Sequence, residues 1–212
     1  STDKKWFLPH FEKMLYDQAM NSMAYIEAYQ ITKNEEYAKI VEEVFSYVLR
    51  DMRHEKGGFF SAEDADSEGE EGTFYLWKEQ ELFTILGKKD GSVISKVYGF
   101  SKTGNFFDEA SGKKNGGNIP FLSKSKSILA KEIKIDLDEL NNIIECSRKK
   151  LFEKRKERVH PLKDDKILTD WNGLMIASFA YGGIVLNNEQ YIKEAINAAD
   201  FVHEHLQRND GR

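Results

Sequence analysis

The sequence has a single cysteine, no long apolar run and no surplus of positive charge. Cys146, standing alone, excludes an internal disulfide and a CxxC redox pair, and it reads as a plain thiol within a helical pattern. No stretch approaches the ~20 consecutive apolar residues that a membrane-spanning helix needs, so no membrane contact is expected. A formal net charge of −5 argues against nucleic-acid binding, because neutralising phosphates requires a basic face. Basic residues do gather over 148–158, but Glu153 and Glu157 interrupt them, and the stretch reads as a solvated helix face. The chain opens Ser1-Thr2-Asp3 without a basic segment followed by an apolar one. No secretion signal is read there, and the cytoplasm is the expected compartment.

What is present is the composition of a soluble globule: 212 residues, 40% hydrophobic and 32% charged. One domain over 1–212 is expected, large enough for a substantial core. Phe11, Met14, Leu15, Ala19, Met23, Ile26 and Tyr29 recur three or four apart and predict a helix over 9–31. Asn34 is a suitable N-cap for a second helix over 34–56, which ends before Gly57. The string Asn34-Glu35-Glu36-Tyr37 returns as Asn188-Glu189-Gln190-Tyr191, 154 residues on. Leu168-Thr169-Asp170 likewise answers Leu15-Tyr16-Asp17. A second pair of helices, 169–186 and 188–208, is therefore expected to repeat the first.

The leading helix of that second pair is apolar nearly all round and is expected to be buried on all sides. Stacked αα-hairpins of this kind suit either an α/α toroid or a plain bundle. Between the copies, 59–60 and 73–77 read as short strands pairing across an acidic loop. Short helices near 78–86 and 91–98 should stop at Gly87 and Gly99, and 100–135 reads as mostly loop. Asp136 with Glu139 forms a capping box opening a helix over 136–156.

The loop 62–72 holds six acids and no base. Held together, such carboxyls share protons and reach pKa values useful for acid/base work; a solvated turn is the other reading. Asp64, Asp66, Glu68 and Gly69 imitate the start of a calcium loop, but Tyr75 stands where its bidentate Glu belongs. No metal and no cofactor is therefore expected. His10 lies among aromatic residues and could act as an acid/base or sugar contact, or serve the fold. Asp170-Trp171-Asn172 combines an acid, a stacking ring and an amide, the equipment of a sugar subsite; Asp170 could instead only cap its helix.

Three strings, WFLPHFEKMLYDQA (6–19), GGFFSAEDADSEGEEGTFYLW (57–77) and DDKILTDWNGLMIA (164–177), closely resemble the YyaL and spermatogenesis-associated protein 20 family. The resemblance implies an all-α fold, an incomplete six-hairpin glycosidase-like (α/α) toroid with a small β-hairpin. A thioredoxin-like domain would precede it and further hairpins would follow. It also implies similarity to N-acylglucosamine 2-epimerases, which move a proton beside a sugar carbonyl, and to glycosidases, which use paired carboxylates.

On that footing His10, Glu63, Asp64 and Asp66 are the candidate catalytic residues. Glu12, Asp17, Trp77, Asp165, Trp171 and Asn172 are the candidate substrate contacts, with the tryptophans as sugar platforms. One of Glu63, Asp64 or Asp66 is expected within hydrogen-bond or one-water reach of His10 or Asn172. The expected partner is a small carbohydrate, and a non-catalytic sugar-binding or regulatory module is the other functional class. Self-association is expected through apolar faces that absent hairpins would cover.

Overall fold

The computed structural model describes residues 2–107 and 114–207. In chain order its elements are β1 (Lys13–Met14), α1 (Leu15–Thr32), α2 (Glu35–Tyr47) with a π-helical turn (Val48–Met52), β2 (Ala62–Glu63), β3 (Asp66–Ser67), β4 (Glu70–Glu71) and β5 (Trp77–Lys78). There follow α3 (Glu79–Val97), β6 (Gly117–Asn118), α4 (Lys126–Ile133), α5 (Leu137–Arg155), β7 (Lys163–Asp164), α6 (Thr169–Val185) and α7 (Glu189–His205). The fold is predominantly helical, as the periodicity predicts. The chain forms two compact units, Ser1–Phe11 with Ala65–Pro161 and Glu12–Asp64 with Leu162–Arg212.

The second unit contains both copies of the repeat. Asn34 Oδ1 accepts from Glu36 N and Asn188 Oδ1 from Gln190 N, each at 3.0 Å, so the two predicted N-caps do the same work. Lys33 and Asn187 adopt positive φ just before these caps and turn the chain back. α1 and α6 lie side by side and run parallel. Tyr16 meets Trp171 near their starts, with ring centroids 4.8 Å apart, and the Tyr181 hydroxyl donates to Gln30 near their ends.

The core of this unit is aromatic. Phe179 stacks on Phe45 at 4.2 Å and on Phe59 at 5.5 Å, and all three are fully buried. Burying each such ring stabilises the fold by about 2–3 kcal/mol relative to exposure. Gly182 of α6 lets Phe45 approach: a Cβ there would lie 2.5 Å from Phe45 Cε2 and 3.3 Å from Ile26 Cδ1.

β2 lies between β1 and β7 in an antiparallel three-stranded sheet. Leu15 N donates to Ser61 O at 2.8 Å, which places this sheet at the N-terminal end of α1. The first unit packs Leu82, Leu86, Ile94 and Val97 of α3 against Leu140 and Ile144 of α5. Asp136 caps α5 as expected, accepting from Asp138 N at 2.8 Å.

Three expectations differ from what is found. The first helix begins at Leu15 rather than residue 9, because Lys13 and Met14 are extended and paired with β2. Residues 59–60 do not pair with 73–77. The Phe59 backbone is held by Asn172, and Trp77–Lys78 pair with Gly117–Asn118 instead. The acidic loop itself closes as the β3–β4 hairpin, turning at Glu68 (φ 57°) and Gly69 (φ 83°). The segment 100–135 is mostly loop among its described residues, as expected, with β6 and α4 set within it; residues 108–113, like the last residue of the helix expected over 188–208, lie outside the described residues. Finally, α6 is not covered on all sides: Leu174 is 37% exposed and Ile184 72%, because α1, α2 and α7 occupy only part of its circumference.

Candidate functional site

In the second unit the small sheet gathers charged side chains at the N-terminal end of α1. Register sets Lys13 opposite Glu63, and Glu63 opposite Lys163. Glu63 is buried, 7% exposed, with the Lys13 ammonium 3.6 Å from its carboxylate. Tyr47, the residue before the π-helical turn, has a buried hydroxyl. Burial first, and then the Glu63 carboxylate, push that hydroxyl far above the usual phenol range, so it stays protonated. Asp164 bonds Lys166 at 2.9 Å, and this bond holds its carboxyl below the ordinary carboxylate value.

The helix starts themselves present an aromatic pair and acids. Tyr16 and Trp171 meet edge to face, 64° apart in plane. Asp17 and Asp170 occupy the first turns of α1 and α6, where the positive end of the helix dipole favours a carboxylate. Both are exposed, as are Asp64 and Asp165, while Trp171 is half-buried and Glu12 partly covered.

Asn172 lies behind this edge and is fully buried. Its Oδ1 accepts from Phe59 N at 2.8 Å, and its Nδ2 donates to Phe59 O at 3.0 Å and Leu168 O at 2.9 Å. This amide is spent on the backbone, and it fixes the chain just before β2.

His10 and Asp66 belong to the first unit and are exposed there. Trp77 is buried, 4% exposed, with the Arg158 guanidinium carbon 4.0 Å from its ring centroid. Arg158 was grouped with a solvated basic face, and the structure corrects that. It donates to Phe74 O at 2.9 Å and Leu76 O at 2.6 Å, and pairs with Glu81 at 3.0 Å. Arg158→Ala is expected to cost about 2 kcal/mol, read from the urea midpoint, because two carbonyls and a carboxylate lose a charged donor. An unchanged midpoint would show that these bonds add nothing over water.

Sequence reasoning missed Tyr47, Lys13 and Arg158. Tyr47 and Glu63 lie sixteen residues apart with no local periodicity linking them, and Arg158 joins residues more than seventy positions away.

Paired helical hairpins with acids and an aromatic pair at the helix starts define a helical-repeat protein with a polar end. The wider comparison places it more narrowly. No family model matches the chain. It is 35% identical to spermatogenesis-associated protein 20 of Homo sapiens, and equally to that of Rattus norvegicus, over 97% of this chain and 28% of each relative. An uncharacterised protein of Caenorhabditis elegans is 29% identical over 99% of this chain and 31% of its own length. The chain is a homologue of spermatogenesis-associated protein 20, as its three strings imply, and it spans little more than a quarter of that protein. No helix among the described residues is long and apolar enough to cross a membrane.

Proposed function

We propose that this chain carries the sugar-facing end of a carbohydrate-active α/α toroid, with acid/base chemistry of the epimerase type. The observation that supports this most is the parallel seating of α1 and α6, whose starts hold Tyr16 against Trp171, with Asp17 and Asp170 in their first turns. A half-buried indole offers an apolar face to the C–H side of a sugar, and exposed carboxylates accept from its hydroxyls. Asp64, next to β2, is the carboxylate assigned to proton transfer, and Asp165, next to β7, is a substrate contact. His10 and Asp66 lie in the other unit and take no part in this proposal.

A second reading, a binding module without turnover, has specific support. Glu63 is neutralised by Lys13, and Asn172 is occupied by backbone, so two of the residues expected to act on a ligand serve the fold instead. One experiment separates the readings. Full-length protein is incubated in D₂O with aldoses and N-acetylhexosamines, while binding is followed by saturation-transfer NMR. Epimerase chemistry exchanges the hydrogen beside the carbonyl, and Asp64→Asn abolishes the exchange. A module binds without exchange. Trp171→Ala is expected to weaken binding at least about tenfold in either case. Binding that survives this substitution unchanged would remove the site.

A further inference from the structure

We infer that the open side of α6, continued by α7, is the seat of a further helical pair of the same polypeptide, stacked on α6 as α6 is stacked on α1. The inference concerns how the copies stack, and it holds whether or not the end proposed above acts on a sugar.

The two copies keep one spacing throughout. The N-caps Met14 and Leu168 lie 154 residues apart, and so do Lys33 and Asn187, the positive-φ residues that follow α1 and α6. In the first copy, Tyr16 meets the Trp171 ring, Ile26 lies against Gly182, Gln30 accepts from the Tyr181 hydroxyl, and Phe45 packs on Phe179 and Tyr191. The same spacing carries these positions to Asp170, Ala180, Ile184 and Ala199. Ile26 and Phe45 are fully buried, whereas their counterparts Ala180 and Ala199 are half-buried and exposed. Ile184, the counterpart of Gln30, is 72% exposed. The surface by which the first copy receives the second is thus present again on the second, and there it lies open.

Its chemistry is that of a helix contact. α6 carries no charged residue after Asp170, and a helix apolar nearly all round belongs inside a structure. Ile192, whose Cγ1 lies beside Gly183, and Ile196 one turn on carry the apolar surface onto α7; they are 36% and 55% exposed. At Gly173 an added Cβ would find nothing within 4 Å, so the open side has room for a neighbour.

The occupant follows from what can supply such a helix pair. α6 docks through the side that buries Met175 and Phe179, and that side is already taken within its own chain. The corresponding places on α1 hold Asn21 and Tyr25, so a second copy has no equally apolar helix to give. Only 28% of spermatogenesis-associated protein 20 of Homo sapiens is matched by this chain, which leaves ample polypeptide for further pairs.

The test uses full-length protein. Ala177→Cys and Ile184→Cys, with the exposed Glu42→Cys of α2 as reference, are treated with a maleimide, and modification is read peptide by peptide by mass spectrometry. Positions 177 and 184 are expected to react at least about tenfold more slowly than 42 in the native protein, and equally fast in urea. A photo-cross-linking residue in place of Ile184 is expected to join a peptide outside residues 1–212 of the same polypeptide. In a mixture of ¹⁵N-labelled and unlabelled protein, the joined peptides should therefore share one label. Modification at the reference rate overturns the inference. So do joined peptides of mixed label, which make the occupant a second copy, and links confined to residues 1–212.

Discussion

Asn172→Ala is expected to destabilise the second unit by about 3 kcal/mol, seen as a lower urea midpoint with an unchanged slope. The amide closes both backbone groups of Phe59 in one reciprocal contact, and Phe59 is itself fully buried. Truncation leaves that N–H and C=O without partners where water cannot readily follow, and each orphaned group costs about 1–3 kcal/mol. Leu168 O loses one of its two donors but keeps the Asn172 backbone N–H at 2.9 Å. Asn172→Asp should be no better than alanine. A carboxylate can still accept from Phe59 N but cannot donate to Phe59 O, and it brings a charge into a dry site. A midpoint within ordinary surface-mutation range would mean that the 59–63 segment is held by its sheet partners alone. Asn172 would then become available again as a ligand contact.

The second large effect is expected at Gly182. Glycine within a helix ordinarily weakens it by roughly 0.5–1 kcal/mol relative to alanine, so substitution there should help unless space forbids it. Space does forbid it: the added carbon would sit 2.5 Å from Phe45 Cε2, and Phe45 is locked between Phe179 at 4.2 Å and Tyr191 at 4.9 Å. Gly182→Val is expected to cost about 3 kcal/mol, and Gly182→Ala less, since its propensity gain offsets part of the clash. Gly173, on the same helix with nothing within 4 Å, supplies the control; Gly173→Ala should raise the stability by up to roughly 1 kcal/mol. Equal effects at the two glycines would show that the α6 backbone, rather than the Phe45 contact, sets the cost.

The helices were legible because their signals are local. The caps at Asn34, Asn188 and Asp136 are found where they were read, and the stop at Gly87 appears as a kink within α3. The strands were not legible, since each is two residues long and finds its partner through tertiary contacts. Phe59-Phe60 carries a strand's composition, but Asn172 claims the Phe59 backbone from more than a hundred residues away, and no window on the sequence contains both.

The candidate site was legible in part. The Asp170-Trp171 string points to the polar end of α6, and the repeat with Leu15-Tyr16-Asp17 points to α1. That Trp171 faces Tyr16 follows only from the parallel packing of two helices that start about 150 residues apart. The acidic loop was read as one cluster of six carboxyls. The structure divides it, with Glu63 buried against Lys13 and Glu68 and Glu70 turned out on a hairpin.

The pairing of β2 with β7 also sets an order of events during synthesis. Ala62 and Glu63 cannot find Asp164 and Lys163 until the hundred intervening residues, which supply most of the first unit, have been made. At ~5–20 residues per second, α1 and α2 stand ready for roughly 5–20 s before α6 arrives to cover Phe45 and Phe59. Throughout that interval the aromatic faces of the nascent hairpin are open to solvent. A trigger factor or similar holdase that shields exposed aromatics should therefore raise the yield of folded protein most when it acts between the emergence of Phe59 and that of Phe179.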